Sequence, residues 1–202
     1  MAGYIDTIKV DLGTLNSVDD VEVGASVASA VQPRFGGFLG SIVRLSHAQA
    51  LIMSLTSVGT LYGGEYQYVK FSAAAAIGDY CMWDVAANNG ITDYEVTATT
   101  TLEGEGFGAG FALRTMTAGR YGWLQRAGLA SARCAASVTT TTIGNIAVQL
   151  TTTATIDAIA DATGSFIGGG AKGLKNIVGA WYDAPANGGL KRLVMKGFFL
   201  NL

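Results

Sequence analysis

One histidine, two cysteines and fifteen carboxylates are the raw material for chemistry in this chain. His47 would have to anchor any histidine-based triad, yet it stands beside aliphatics in a stretch with helical spacing, and no G-x-S-x-G elbow exists to supply a nucleophile. It reads as a packed or surface helix histidine. Cys81 and Cys134 are far apart and form no CxxC or zinc-like spacing, so they read as small buried hydrophobes. Asp19-Asp20 with Glu22, and Glu103 with Glu105, offer oxygens to calcium, but neither cluster follows the EF-hand loop, and solvated loops are the simpler reading. Gly104, Gly106, Gly108 and Gly110, and the run Gly168 to Gly173, resemble phosphate loops only superficially, because Lys172 is followed by Gly173 instead of Ser or Thr. Paired carboxylates for glycoside hydrolysis are a question of three-dimensional separation, which spacing does not answer. The residues therefore assign no catalytic group, metal ligand or cofactor, and the expectation is a protein that is not an enzyme.

Composition says what the chain builds instead. Half of the 202 residues are hydrophobic and only 14% are charged, against about a quarter charged in an average globular protein. Mean hydropathy is +0.34. One or two compact units with a real core fit this length, and the low charge suits a surface that something else covers. A net charge of -2 implies no broad basic face, so no nucleic-acid partner is expected. The N-terminal MAGYIDTIKVDLG lacks a signal-peptide core. The most apolar long stretch, residues 41–58, carries Arg44 and His47 and barely reaches the roughly 18 residues of a membrane span, so no membrane is expected either. Glycine is abundant, at 28 residues against 2 prolines. With long Thr runs, that favours many short strands and tight turns.

The elements follow from periodicity. Residues 1–60 form a leader or arm. Ile8, Val10 and Leu12 share one strand face, Pro33 to Phe38 make a loop with two aromatics, and residues 46–58 form a short helix. Ser46 is its N-cap, Gly59 its stop, and Ala48, Leu51, Ile52 and Leu55 its apolar stripe. From Leu61 the pattern turns to β. Tyr62 to Phe71, Tyr80 to Val85, Asp93 to Thr101, Gly106 to Ala112 and Tyr121 to Gln125 read as strands or strand-bearing segments, with turns at Gly63-Gly64 and Asn88-Asn89-Gly90. Residues 129–202 repeat the order of 61–128 faintly. Ile77-Gly78-Asp79 answers to Ile143-Gly144-Asn145, and Gly110 to Leu124 answers to Gly179 to Val194, with chance as the alternative explanation. The expected fold is mainly β, a β-barrel or β-sandwich over residues 61–202, built from two related β units if the repeat is real.

Residues 61–128 carry a further pattern. Gly64 to Val69 is followed by A-x-x-x-G-D (Ala74 to Asp79), a strand ending in Trp83-Asp84, a Thr-rich strand, and GFALRTMTAGRYGWLQRAG (Gly110 to Gly128). This resembles the capsid decoration, or cement, proteins of tailed phages, most specifically in A-G-x-Y-G-W-L-Q-x-x-G (Ala118 to Gly128), and covers about two-thirds of the chain. The resemblance implies a non-enzymatic β-barrel or sandwich, often a homotrimer. It would sit on the capsid exterior of the virion, assemble in the host cytoplasm, bind the major capsid protein and clamp capsomers. The leader of about sixty residues departs from that pattern and would grip the major capsid protein or a neighbouring subunit. Interface candidates are Tyr4, Ile8, Val10, Phe35 and Phe38 in the leader, and Tyr121, Trp123, Trp181, Lys191 and Arg192 beyond it. The rivals are another virion part (tail tube, head-fibre base or receptor-binding protein) and a carbohydrate-binding module using Tyr121, Trp123 and Trp181 as stacking faces. For the aromatics the simpler reading is core packing. For Lys191, Arg192 and Lys196 it is a solvated strand face.

Overall fold

The computed structural model of the protein describes residues 39–48, 50, 62–84, 94–98, 108–139, 141–149, 154–159 and 177–195. Among them are ten strands: β1 Ile42–Leu45, β2 Gly64–Phe71, β3 Tyr80–Trp83, β4 Glu95–Thr97, β5 Gly108–Ala112, β6 Tyr121–Arg133, β7 Ile146–Gln149, β8 Ile156–Ile159, β9 Ile177–Trp181 and β10 Leu190–Met195. The mainly β expectation is correct. Of the short helix, His47, Ala48 and Ala50 have helical backbone, and Ala50 N–H donates to Ser46 O at 3.0 Å. Ser46 thus accepts the first helical bond, as an N-cap does; residues 51–58 and the stop at Gly59 lie outside the described residues. So do the leader strand at residues 8–12 and the Asn88-Asn89-Gly90 turn.

Strands β2, β4, β3, β5 and β6 pair in that order, and β6 returns to β2, which closes a five-stranded barrel. The β2–β4 seam is parallel and the other four are antiparallel. Closure removes the open edges that would otherwise invite aggregation. β1 lies outside, antiparallel on the first half of β2. The second half of β6 then pairs with β10, followed by β9, β7 and β8. There β8 meets the end of β6 through one parallel bridge, Cys134 to Ile156. The strand order and sense of this second unit match those of the first, with β6 serving both.

The match extends to single hydrogen bonds, with one acceptor shifted by a residue. In the first unit, Phe71 N–H donates to Arg120 O at 2.7 Å and Gly119 N–H to Phe71 O at 2.7 Å; Ala112 N–H donates to Asp79 O at 2.9 Å and Gly78 N–H to Ala112 O at 2.8 Å. In the second, Cys134 N–H donates to Gly189 O at 2.8 Å and Gly188 N–H to Ala135 O at 2.8 Å; Trp181 N–H donates to Asn145 O at 2.9 Å and Gly144 N–H to Trp181 O at 2.8 Å. Each unit is thus tied by two crossed loops that exchange backbone bonds. The four turn glycines, Gly78, Gly119, Gly144 and Gly188, have φ of 78°, 80°, 84° and 66°. That left-handed conformation is why glycine recurs at these turns.

Strand alternation sorts the side chains into three clusters. Val69, Phe71, Val96, Ala112, Met116 and Leu124 fill the first barrel. Ala132, Cys134, Ile156, Val178, Trp181 and Leu193 fill the second unit, and Phe111 and Tyr80 of the first unit pack into the same cluster. On β6, Leu124 serves the first core, and Ala130 and Ala132 serve the second. A register shift against β2, with Ala127 opposite Glu65 and Gln125 opposite Tyr66, falls between the two stretches of β6 that feed the two cores. The third cluster, Leu45, Ala50, Tyr66, Tyr68 and Trp123, lies between β1 and the outer wall of the barrel.

Candidate interaction surface

The side chains that could do chemistry are dispersed or structural. Among the described residues no group of three or more His, Cys, Asp or Glu could hold a metal ion. No helix there is long and apolar enough to cross a membrane. Asp19, Asp20, Glu22, Glu103, Glu105 and the Gly168–Gly173 run lie outside the described residues. Cys81 and Cys134 are free and buried, as the sequence suggested. Burial pushes the thiols of both up from their ordinary value, which keeps the nucleophilic thiolate scarce. His47 is exposed.

The aromatic candidates are occupied within the chain. Trp181 is 1% exposed in the second core, and its indole N–H donates to Asp157 O at 3.3 Å. Trp123 is 4% exposed and meets the Tyr68 ring at 5.3 Å. Tyr121 is half-buried and stacks on the other side of this cluster, 6.3 Å from Tyr68 at 16°. The two indoles therefore offer no open face to a sugar or a neighbouring subunit, whereas Tyr121 keeps part of its ring at the surface. Tyr4, Ile8, Val10, Phe35 and Phe38 lie outside the described residues.

The basic candidates on β10 do different work. Arg192 is bidentate on Asp183, Nε to Oδ2 at 2.7 Å and Nη2 to Oδ1 at 2.7 Å, and its backbone N–H adds a third bond to Oδ2 at 3.0 Å. Its guanidinium also lies 4.7 Å from the Tyr182 ring centre and 5.8 Å from that of Tyr62. Tyr62 stands two residues before β2, so Arg192 is a clasp between the two units, with cation–π contacts on both sides. The hydrogen bond from Arg192 holds the Asp183 carboxyl below its usual range, against a smaller opposing effect of burial. Lys191 is half-buried beside it.

Residues that sequence reasoning did not select form the open surface. The exposed large hydrophobics are Ile42, Tyr94, Ile143, Tyr182 and Leu190. Ile143 and Tyr182 are joined through the Gly144 N–H to Trp181 O bond, so they mark one end of the second unit. Tyr94 adopts φ 52°, and no other non-glycine among the described residues has positive φ. Its ring fills the space where a Cβ on Gly40 would stand and meets Trp83 edge-on at 6.3 Å. Each of these residues sits in a turn or at a strand end, where alternation gives no signal; only the faint repeat pointed near Ile143.

No family model matches the chain, and no curated protein matches it. Among solved structures it is similar to the N base of the head fiber protein gp8.5 of bacteriophage phi29, at 11% identity and a TM-score of 0.41, over 68% of this chain and 98% of that one.

Proposed function

We propose that this chain is a structural part of a tailed-phage particle that binds the outside of the capsid and clamps neighbouring capsomers. The supporting observation is where the decoration-protein-like element falls. Ala118 to Gly128 makes a crossed-loop turn, the last strand of the barrel and the entry to the second unit. The resemblance thus lies in residues that set the architecture. That suits a protein whose task is to present a rigid, weakly charged outer surface. The mechanism has no chemical step. A subunit that binds only the assembled lattice stabilises it by linkage, and repetition by symmetry turns modest contacts into avidity. The partners in this reading are the major capsid protein and other copies of the chain, as a homotrimer, on the virion exterior.

The test images particles with and without the protein by cryo-electron microscopy and heats both. Density at capsomer joints, with DNA released at lower temperature when the protein is absent, is the expected result. Density confined to a tail, neck or fibre, with unchanged head stability, removes the clamp and favours another virion role.

A further inference from the structure

The sequence holds two Asn-Gly steps, Asn89-Gly90 and Asn187-Gly188. The first lies outside the described residues. Asparagine is chemically labile where glycine follows, because a residue without a Cβ leaves its backbone nitrogen free to approach the preceding side-chain amide. Asn187 and Gly188 are both exposed, and a Cβ on Gly188 meets nothing within 4 Å, so water and base reach the pair. The matching turn of the first unit is Ala118-Gly119, which has no amide at this place.

Hydrogen bonds hold both reacting groups. Asn187 and Gly188 are the central residues of a turn closed by Gly189 N–H donating to Ala186 O at 3.0 Å. Of the two, Gly188 alone has positive φ, at 66°, the pattern of a type II turn. Gly188 N, the nitrogen that would attack, donates its proton to Ala135 O at 2.8 Å. Asn187 Oδ1 accepts Val138 N–H at 2.9 Å, and Gly189 O accepts Cys134 N–H at 2.8 Å. These bonds tie the turn to residues 134–138, the segment that leaves β6. While they last, the Gly188 proton is not released to base and the Asn187 amide stays anchored on Val138.

We propose that Asn187 is a site of spontaneous deamidation which the crossed loops of the second unit keep closed, so that it reacts only when they open. In the open loop, base removes the Gly188 amide proton and the nitrogen attacks Asn187 Cγ. The N–Cγ bond forms, the Cγ–Nδ2 bond breaks, and the amide takes up a proton from solvent and leaves as ammonia. Water then opens the cyclic imide at either carbonyl, giving aspartate or isoaspartate, and nothing is oxidised or reduced. The two products differ in effect. Aspartate keeps the main chain and an oxygen for Val138 N–H. Isoaspartate lengthens the main chain by one carbon between Ala186 and Gly188, so the bonds at Asn187, Gly188 and Gly189 cannot all re-form. The turn is then untied from the end of β6 for good.

The test holds the native chain and the same chain in urea at mildly alkaline pH, with Asn89→Gln in every sample so that Asn187 is the one Asn-Gly step left to react. Peptide mapping follows conversion at Asn187, and NMR hydrogen exchange follows the Gly188 amide. Folding should slow conversion about tenfold or more, and by at least the factor by which it protects the Gly188 amide, since both processes need that N–H freed. Isoaspartate-bearing chains, aged in urea and refolded, should unfold at lower urea than the parent, whereas Asn187→Asp should match it. Equal conversion in the two states, conversion slowed less than amide exchange, or no conversion in urea overturns the proposal. So does an isoaspartate form as stable as the parent.

Discussion

Trp181 shows how burial decides a residue's work. Its ring fills the second core and its N–H is satisfied, so Trp181→Ala removes packing and leaves a donor-free void. A loss of about 3–5 kcal/mol in urea unfolding is expected. Cys81 and Cys134 make a separate point. Both thiols are buried, one in each core, and burial favours their protonated form. Ellman's reagent should find no thiol in the native protein and two after unfolding. Arg192 gives a pH prediction. Because its hydrogen bonds lower the Asp183 pKa in the folded state, the pair stabilises the fold above the ordinary carboxylate range, and that contribution fades as pH falls through the lowered value. Arg192→Ala should therefore be less stable than the parent at pH 7, and the difference should narrow at acid pH as Asp183 becomes protonated. Denaturant melts at pH 7 and at acid pH check this.

At the level of elements, the crossed loops carry a contrast that separates backbone conformation from packing. Gly78 and Gly144 have nearly the same φ, but a Cβ on Gly78 meets Arg133 N at 2.9 Å and one on Gly144 meets open space. Gly144→Ala should cost about 1–2 kcal/mol, the penalty of the left-handed conformation alone. Gly78→Ala should cost more, because the backbone at Ala132-Arg133 has to shift. The same elements show what was legible in the sequence. β2, β3 and β4 stood out through aromatic and β-branched residues, and β5 through the glycine-laced run Gly106 to Ala112. β6 was legible only as Tyr121 to Gln125. Its second half, Arg126 to Arg133, is rich in alanine, glycine and serine, which carry little hydrophobic contrast. Those small side chains are needed because β6 is flanked by strands of both units. β8 was not legible, since Ile156-Asp157-Ala158-Ile159 is short and buries its aspartate. Gly64, expected in a turn, instead opens β2 beside a bulge, where its Cα approaches Ala127 O too closely for a side chain.

For the whole molecule, the shared strand and the Arg192 clasp bind two similar units into one body. Tyr80 and Phe111 of the first unit pack into the core of the second. Unfolding of the two should therefore coincide. Trp181→Ala, a change in the second core, should shift the melting midpoint reported by Trp83 and Trp123 fluorescence in the first, with no separate step in calorimetry. Trp123 and Trp181, interface candidates from the sequence with core packing as the simpler reading, are buried for a reason at this scale. A long chain of small units needs large side chains to plug its cores, and Trp123 and Trp181 serve that need. The open surface falls to Ile143, Tyr94 and Tyr182, which sit where the repeated architecture stops covering itself.

The double duty of β6 also sets an order of events at the ribosome. Once Gly128 has emerged, the first barrel has all its strands and can close. The following five residues of β6 then stand as a bare edge until β10, the last strand among the described residues, arrives to pair with them. At about 5–20 residues per second that wait lasts several seconds. The exposed stretch, Leu129 to Arg133, is alanine- and serine-rich and ends in a cation. Such an edge is a poor template for a stray strand, so the nascent chain is protected while its second half is still being made.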